Sequence, residues 1–330
     1  MGWNPIGQMS NKSISQEKGL TSLLVPNTFF ANEYSFKIRK FLLNENNLHE
    51  LCNLGLVFDD AVVETTIVTY GGIKTDSVIF KNGLVHGISL SINEIETLTD
   101  DSKFLLGIDN RIIGIVTRMN KFPKLANFAK VWRGLTTGDD KKFISSLPLS
   151  NTYKPLITGA DVNKYLPLIA KKYINYLPDE LDRARDERIF LLESKLISKF
   201  VGKILTFAFD ESQNYVLNSG CVTENLSKNL SIKYLLGVLN SRVVNFYFSN
   251  IFTDNRETFP IMKSGNIESL PIPKVEQSEQ QPIIHLVEKI LSLKSNNPQA
   301  DTQLFEDEID ELVFGLYGLS ATERAVVLGG

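Results

Sequence analysis

The segment RGLTTGDDKKF, from Arg133 to Phe143, contains the residues best suited to hold a phosphate group. A glycine-rich turn that opens a helix can bind phosphate, because its unpaired backbone N–H groups and the helix dipole both favour an anion. The P-loop has four residues between its glycines, and then Lys followed by Ser or Thr. Here three residues separate Gly134 from Gly138, and Asp139 follows. The spacing therefore argues against a nucleotide-binding loop.

No other set of residues has the spacing of a self-sufficient active site. The histidines His49, His86 and His285 are far apart, and none lies in a metal-ligand pattern such as H-E-x-x-H. The sequence has no G-x-S-x-G elbow and no G-x-G-x-x-G fingerprint. A catalytic triad stays open, because its members converge only in space. Cys52 and Cys221 are the only cysteines, so we predict neither a disulfide framework nor a metal site.

The composition is that of a globular protein, but the charge is unevenly distributed. The 330 residues are 43% hydrophobic and 22% charged, with a net charge of −3. Residues 111–203 contain 18 Lys/Arg and 9 Asp/Glu, whereas residues 1–110 contain 8 and 13, and residues 204–330 contain 9 and 16. The basic block offers a footprint for a polyanion, and the alternative is an unevenly charged solvated surface. Without a membrane span or secretory signal, we expect a cytoplasmic protein with no membrane partner.

The N-terminal segment, residues 1–85, is predicted to alternate strands and helices. LTSLLVP (Leu20 to Pro26) and ETTIVTYG are typical of strands, and ANEYSFKIRKFLLNE between them is typical of an amphipathic helix. This order indicates an α/β sheet. Too few residues precede the first strand for a complete doubly wound domain, so we expect only the end of one.

Residues 86–275 change character and predict a mixed domain. RIIGIVT (111–117), KILTFAF and NYVLNSGCVT are expected to be short strands. ELDRARDERIFLLESK (180–195) and IKYLLGVLNSRVVNFYFSN (232–250) are expected to be helices, the second with an apolar face packed in the core. The fold class is therefore α/β, in the mixed α+β sense.

Residues 276–330 are predicted to be a C-terminal helical segment. QPIIHLVEKILSLKS has apolar residues at heptad-like spacing, and LFEDEIDELVFGLYGL alternates acidic and apolar residues. We expect the acidic side chains of the second helix to form a solvated face, because carboxylate metal sites need ligands from more than one element. The acidic residues are Glu306, Asp307, Glu308, Asp310 and Glu311.

Three spaced stretches resemble a known family. VWRGLTTGDDKKF, YKPLITGADVNKY (Tyr153 to Tyr165) and TFPIMKSGNIESLPIPK (Thr258 to Lys274) are similar to the TaqI-like C-terminal specificity domain. That domain is the target recognition domain of adenine-specific DNA methyltransferases and of type IIG restriction–modification enzymes. YLLGVLNSRVVNFYF and DEIDELVFGLYGLSATE resemble its later helices, and the stretch from Lys18 to Tyr70 resembles the last part of the methyltransferase domain.

The resemblance implies the organisation of the chain and its chemistry. Residues 1–85 would be the C-terminal remnant of a doubly wound methyltransferase sheet, residues 86–275 an α/β target recognition domain, and residues 276–330 C-terminal helices. The glycine motif for S-adenosyl-methionine and the catalytic Asn-Pro-Pro-Tyr/Phe motif do not occur. We therefore expect a C-terminal piece of an adenine-specific enzyme, with or without a fused endonuclease. The piece would hold no cofactor and be inactive alone, while the full enzyme would use S-adenosyl-methionine.

The resemblance also implies double-stranded DNA as a partner, together with a methyltransferase part in the same parent chain or in a separate subunit. Phosphate contacts set the register on DNA, and base-edge contacts read its sequence. Our candidates for DNA contact are Arg111, Arg118, Lys121, Lys124, Lys130, Arg133, Lys141, Lys142, Lys171 and Lys172. Three further arginines, Arg183, Arg185 and Arg188, are weaker candidates. Their neighbours Asp182, Asp186 and Glu187 can neutralise them through i,i+3 and i,i+4 pairs on a helix.

Other residues are given structural or base-stacking roles. Phe58 matches the aromatic residue that stacks on the flipped adenine in the family, and the alternative is an ordinary core residue. In RGLTTGDDKKF we expect Gly134 and Gly138 to shape turns and Phe143 to anchor the next strand.

The C-terminal helix leaves two interpretations open. LPIPKVEQSEQQPIIHLVEKIL resembles the junction in type I specificity subunits, where a long helix packs on a partner helix. The alternative is a helix that folds back on its own domain. At the level of function, the alternative to DNA recognition is a protein-interaction or assembly module of a multi-subunit restriction–modification complex.

Overall fold

The protein consists of two compact units, residues 1–120 and 121–330. The computed structural model describes residues 19–31, 33–45, 47–57, 63–83, 87–99, 102–105, 108–252 and 261–329. The predicted domain limits at residues 85 and 275 do not coincide with this division. As limits of homologous domains, they stay predictions.

The first unit is built on a five-stranded sheet in the order β1-β3-β2-β4-β5. Its strands are β1 (Leu20–Pro26), β2 (Leu48–Gly55), β3 (Thr65–Gly71), β4 (Ser77–Asn82) and β5 (Ile88–Ser91). Only β2 and β4 run parallel, and the other three neighbouring pairs are antiparallel. A complete doubly wound sheet is mainly parallel. The mixed parallel and antiparallel pairing of this sheet is thus its main difference from the predicted C-terminal end of a doubly wound sheet.

Sequence patterning explains the strands that were predicted and those that were missed. In β3, Thr66, Val68 and Tyr70 are buried at every second position, because successive side chains of a strand point to opposite faces of the sheet. Strands β1 and β3 and the helix between them are confirmed. Strand β2 was missed because His49 and Glu50 interrupt its apolar run. The predicted limit at residue 85 falls between β4 and β5, which pair with each other.

The helices of the first unit include one segment whose prediction was wrong. The helices are α1 (Thr28–Ala31), α2 (Phe36–Asn44), α3 (Ile92–Leu98) and α4 (Asn110–Met119). Residues 111–117 were predicted as a strand but lie in α4. The Asp109 side chain accepts hydrogen bonds from the amides of Arg111 and Ile112, and this N-cap starts the helix. Ile113, Val116 and Met119 then fall on one buried face.

The second unit contains two four-stranded sheets. The first has the order β11-β10-β13-β6 and is antiparallel throughout; the second has the order β12-β8-β9-β7. The strands are β6 (Ala129–Arg133), β7 (Ile144–Ser145), β8 (Tyr153–Ile157), β9 (Lys172–Asn175), β10 (Lys195–Lys199), β11 (Phe207–Asp210), β12 (Tyr215–Val216) and β13 (Gly220–Asn225). Leu156 and Ile174 from the second sheet share one core with Ile197 and Val222 from the first. The mixed α/β class is confirmed.

Residues 180–195 do not form the predicted helix. The chain makes short 3₁₀ turns at Pro178–Glu180 and Glu187–Ile189 and then enters β10. Arg185 has a φ of +68°, which a right-handed helix does not allow. Ile189 and Phe190 are buried in the core of the two sheets. Tertiary packing thus overrides a helix-like composition.

The predicted helix at residues 232–250 is two helices, and the predicted C-terminal helices are confirmed. The described helices of this unit are α5 (Asp140–Phe143), α6 (Ile232–Asn240), α7 (Arg242–Phe252), α8 (Ser264–Glu268), α9 (Gln277–Asn296), α10 (Gln303–Leu316) and α11 (Ala321–Val327). Buried Ser241 separates α6 from α7, and its hydroxyl donates to the Val238 carbonyl at 2.6 Å. As predicted, the apolar face that contains Tyr234 and Leu235 is buried. None of the described helices is long and apolar enough to span a bilayer.

Helix α9 folds back on its own unit. The buried Gln280 side chain accepts from the Ser231 amide at 2.9 Å and donates to the Asn229 carbonyl at 2.7 Å. Helices α6 and α9 approach closely at Gly237, where a Cβ would lie only 2.5 Å from Ile283 Cγ2. The fold-back interpretation is therefore the one observed.

Helix α10 does not present a uniformly solvated acidic face. Asp310 is 3% exposed, accepts a hydrogen bond from the Arg242 amide at 2.8 Å and forms an ion pair with the Arg242 guanidinium, whose Nε lies 3.2 Å from Asp310 Oδ2. Glu306 pairs with Lys164 at 2.8 Å. The prediction was wrong for these two residues, because α10 packs against α6, α7 and α9 and buries part of that face.

Candidate nucleic-acid interface

Three loops of the second unit meet around the segment RGLTTG, residues 133–138. The Gly134 amide donates to the Gly220 carbonyl at 3.0 Å, and the Leu135 amide to the Val216 carbonyl at 2.8 Å. The loop after β8 joins them, because the Gly159 amide donates to the Ser219 hydroxyl at 3.0 Å. The segments that sequence analysis treated as separate motifs therefore form one structure.

The glycines of this structure have steric and conformational reasons to be glycine. A Cβ at Gly134 would lie 2.2 Å from the Leu217 carbonyl oxygen, and one at Gly159 would lie 2.2 Å from the Ser219 carbonyl oxygen. Gly138 has a φ of +80°, which favours glycine. Phe143 is buried and directly precedes β7. The predicted roles of Gly138 and Phe143 are confirmed, whereas Gly134 is required by close packing against the Leu217 carbonyl and not by a turn.

Three arginines belong to these loops. The Arg133 guanidinium lies 3.7 Å from the centre of the Phe200 ring, and its Nε donates to the Asn218 carbonyl at 3.1 Å. Arg183 pairs with Thr136 through two backbone hydrogen bonds of 2.9 and 3.0 Å. The Arg185 Nε donates to the Gly134 carbonyl at 3.3 Å. We call Arg133, Arg183 and Arg185 the arginine cluster.

The charges of the arginine cluster act on one another and on a buried thiol. Burial lowers the pKa of Arg185, and the positive charges of Arg183 and Arg133 lower that pKa further. Burial raises the pKa of Cys221 to about 12, although Arg133 and Arg185 oppose that rise. Cys221 is therefore a buried thiol that does not ionise near neutral pH.

The arginine cluster has little compensating negative charge. Within the part of the chain that the structure describes, neither Arg133 nor Arg185 forms an ion pair. The only contact of this kind for Arg183 is an exposed one, in which its Nε lies 3.9 Å from Asp182 Oδ2. The cluster is therefore a concentration of positive charge suited to an anion.

Arg188 differs from the arginine cluster because it is neutralised. Its guanidinium forms a bidentate pair with Glu224 on β13, which also accepts from Trp132 Nε1 at 3.1 Å. These hydrogen bonds, with that of Arg188 the strongest, lower the pKa of Glu224. Arg188 Nε is also 3.8 Å from Asp186. The expected helical i,i+3 pairing was wrong, because the segment is not a helix.

Several of the predicted cationic residues already have acidic partners. Arg111 pairs with Asp109 at 2.9 Å, Lys130 with Glu268 at 3.0 Å and Lys142 with Glu180 at 2.8 Å. The pairs of Arg111 and Lys142 are exposed, so each contributes little to stability and can be exchanged for a phosphate contact. In the Lys130 pair, Glu268 is only 18% exposed.

The ten residues predicted to contact DNA are distributed over both units. Arg111 and Arg118 lie on α4 in the first unit, whereas the other eight belong to the second. Lys141 is exposed on α5, and Lys171 and Lys172 are exposed where β9 begins. Of the ten candidates, only Arg133 belongs to the arginine cluster.

Some predictions concern residues that the structure does not describe. Phe58, the predicted base-stacking residue, lies outside the described residues, as does His86. Among the described side chains, no group of three His, Cys, Asp or Glu is arranged to hold a metal ion. Arg183 and Arg185 were predicted to be weaker candidates for DNA contact. The sequence signal that could have made them stronger candidates is the RGLTTG motif, which they contact in the structure.

The geometry defines a mixed α/β domain whose loops concentrate cationic side chains. Residues 154–272 match the family model of the TaqI-like C-terminal specificity domain, which confirms the resemblance for this part of the chain. No curated protein matches the chain.

The solved structures to which the chain is similar are restriction–modification enzymes. The type IIL enzyme MmeI, solved in complex with DNA, is 11% identical, with a TM-score of 0.57 over 94% of this chain and 48% of its own. The type ISP enzyme LlaGI, a nuclease-deletion mutant with a DNA substrate mimic, is 12% identical, with a TM-score of 0.48 over 84% and 30%. The type IIG endonuclease BpuSI is 12% identical, with a TM-score of 0.36 over 92% and 48%. The chain thus spans 48% of the length of MmeI, and at this identity the likeness shows a shared fold.

Proposed function

We propose that this chain is the DNA target recognition part of a restriction–modification system. The observation that carries the proposal is the specificity-domain match over residues 154–272, the part of the chain that supplies Arg183 and Arg185. DNA recognition needs cations that contact phosphates and polar groups that reach base edges. The arginine cluster and the exposed lysines Lys141, Lys171 and Lys172 supply the first requirement.

The parent enzyme, in this proposal, is an adenine-specific DNA methyltransferase. The reason is the resemblance of the motifs to that class, together with the stretch from Lys18 to Tyr70. A methyltransferase that flips its target base needs a catalytic pocket as well as a recognition part. The glycine motif for S-adenosyl-methionine and the Asn-Pro-Pro-Tyr/Phe motif do not occur in the chain. We assign cofactor binding and methyl transfer to another part of the enzyme and none of these steps to the residues described above.

The assembly alternative depends on a face that could bind a partner helix. Ile283, Val287 and Ile290 of α9 are 0–1% exposed, because they pack inside their own unit. The apolar stripe that a partner helix would need is therefore already covered. This observation favours DNA recognition over assembly through α9.

A salt-dependent binding assay tests the proposal. The full chain is mixed with a fluorescein-labelled 30-bp duplex of mixed sequence, and anisotropy is recorded from 50 to 300 mM salt. If about six phosphates are contacted, affinity should fall by a factor on the order of 10⁴ over this range. The Lys141→Glu/Lys142→Glu variant should bind more weakly. The matched control, Lys233→Glu/Lys289→Glu, reverses two charges on α6 and α9 and should bind like the unmodified chain.

Two results would contradict the proposal. Binding that is equally weak at 50 and 300 mM salt would remove the electrostatic basis of DNA recognition. Equal effects of the two double variants would mean that charge acts without regard to its position. The expected lack of catalysis has its own assay: transfer of a labelled methyl group from S-adenosyl-methionine to DNA by the chain alone would refute it.

A further inference from the structure

The arginine cluster has the features of a built site for one anion. Its members come from two segments distant in the sequence, Arg133 at the end of β6 and Arg183 with Arg185 in the loop before β10, and backbone pairing holds these segments together. Arg133 ends β6, beside Cys221 of β13, and Arg183 pairs with Thr136. Because Arg133 and Arg185 each donate from Nε to a backbone carbonyl, their guanidinium groups are pre-organised for a ligand, while backbone pairing places Arg183 beside them.

Each anchored guanidinium keeps donors for a ligand. Arginine has five N–H donors, and in both Arg133 and Arg185 only Nε donates to a carbonyl of the protein. For the described part of the chain, the terminal amino groups of these two residues have no acceptor. The stacking of Arg133 on Phe200 further restricts its orientation. Four N–H groups on each of these two arginines are therefore directed by the structure and available.

The arrangement is unfavourable for the chain alone. The positive charges of Arg133 and Arg183 lower the pKa of Arg185, which is the direction expected when like charges lie close together. Arg185 also adopts a φ of +68°, in the left-handed region that residues with a side chain rarely occupy. An external anion would relieve the repulsion.

We propose that Arg133, Arg183 and Arg185 together bind a single backbone phosphate of DNA and thereby fix the register of the recognition domain on the duplex. This inference rests on the proposed function. A phosphate offers charged oxygens with several lone pairs to which more than one guanidinium can donate. A base edge is neutral, and guanine O6 and N7 accept one bidentate arginine. Within the described residues the only ion pair of these three cations is the long, exposed contact of Arg183 with Asp182, so the cluster fits a phosphate better than a base.

The number of phosphates can be read from the salt dependence of binding. The logarithm of the affinity falls with the logarithm of the salt concentration, with a slope of about −0.9 for each neutralised phosphate. If the cluster shares one phosphate, the triple variant Arg133→Gln/Arg183→Gln/Arg185→Gln should reduce the slope by about 1. If each arginine had its own phosphate, the slope should fall by about 3.

The experiment uses the full chain and the labelled 30-bp duplex described above. The triple variant should bind at least 10-fold more weakly at 100 mM salt, by the same factor on several unrelated duplexes, because phosphate contacts carry no sequence information. Arg324→Gln is the matched control. Arg324 pairs with exposed Glu311 on α10, and its replacement removes one positive charge, as Arg183→Gln does, but should leave affinity and slope unchanged.

Single variants keep the test valid if the triple variant fails to fold. Arg183→Gln removes an exposed side chain whose only ion pair is the long contact with Asp182, so it should fold normally. It should weaken binding severalfold. Arg185→Lys keeps the positive charge but loses the forked geometry of the guanidinium group, so it should also bind more weakly than the unmodified chain. Melting temperatures within about 2 °C of the unmodified chain identify folded variants.

The outcomes separate the two proposals. If the unmodified chain does not bind duplex DNA, the proposed function fails. If it binds and the folded variants bind equally well, the phosphate site is overturned. A slope change near 3, or a loss that differs between duplexes, also overturns it, in favour of separate phosphates or base contacts.

Discussion

A buried ion pair joins β10 and β11 of the second unit. Lys195 Nζ lies 2.5 Å from Asp210 Oδ2, and the two side chains are 0% and 1% exposed. Lys195 also donates to the Phe190 carbonyl at 2.7 Å, and Asp210 accepts from the Asn214 amide at 3.1 Å. Burial lowers the pKa of Lys195, while Asp210 opposes that shift. Each charge thus depends on the other for compensation.

The variant Lys195→Met should be strongly destabilised because it leaves the Asp210 carboxylate buried without its cation. Removal of one partner from a buried pair costs about 3–5 kcal/mol. In a unit of this size each kcal/mol lowers the melting temperature by about 2–4 °C, so a decrease of roughly 6–20 °C is expected. The assay is thermal unfolding and urea unfolding, both followed by Trp132 fluorescence, in a Trp3→Phe background that leaves one tryptophan.

Two further variants sharpen this test. The double variant Lys195→Met/Asp210→Asn removes both charges and should recover most of the lost stability. Lys233→Met breaks an exposed pair with Glu288 and should cost less than about 1 kcal/mol. If Lys195→Met costs no more than Lys233→Met, or if the double variant is as unstable as the single one, the buried charge is not what stabilises this part of the fold.

Two other predictions concern the loops and β13. Gly134→Ala should lower the free energy of unfolding by about 2–3 kcal/mol, because the new Cβ would meet the Leu217 carbonyl oxygen. Gly315→Ala on α10 has open space around the new Cβ and should be neutral or stabilising. Thermal unfolding of the two variants measures the difference. The pKa of Glu224 is lowered mainly by Arg188, so its stabilising contribution is present above the ordinary carboxyl value of 4.5 and is lost as the pH falls through the lower folded value. Glu224→Gln should therefore lower stability at pH 7 and flatten its decrease below about pH 4.5, as measured by urea unfolding at each pH.

Sequence patterns predicted the elements whose periodicity is long and local. Helices α9 and α10 were predicted close to their observed bounds, because apolar residues recur every three or four positions over several turns. The short run at residues 111–117 fits a strand or a helix equally well by composition, since β-branched residues occur in both. The deciding signal was Asp109, whose side chain caps α4.

The arginine cluster could not be predicted because it depends on contacts between distant segments. Arg185 follows Gly134 by 51 positions, and the two meet in the fold where Arg183 pairs with Thr136. The alternation of acidic and basic residues around Arg185 indicated a helix with internal ion pairs. This local pattern contains no information about the distant segment that Arg185 contacts. Asp310 illustrates the same limit, because the tertiary partners of α10, which the sequence does not specify, decide that this carboxylate is buried.

The edge strands β6 and β7 set a limit on grafting this recognition domain into another enzyme. Both lie before residue 154, and each completes one of the two sheets whose other strands fall almost entirely within residues 154–272. A graft restricted to those residues would leave β13 and β9 with unpaired backbone groups, which are templates for association with another chain. It would also lose α9, which covers α6. The exchangeable segment therefore runs from Lys121 to the end of α11.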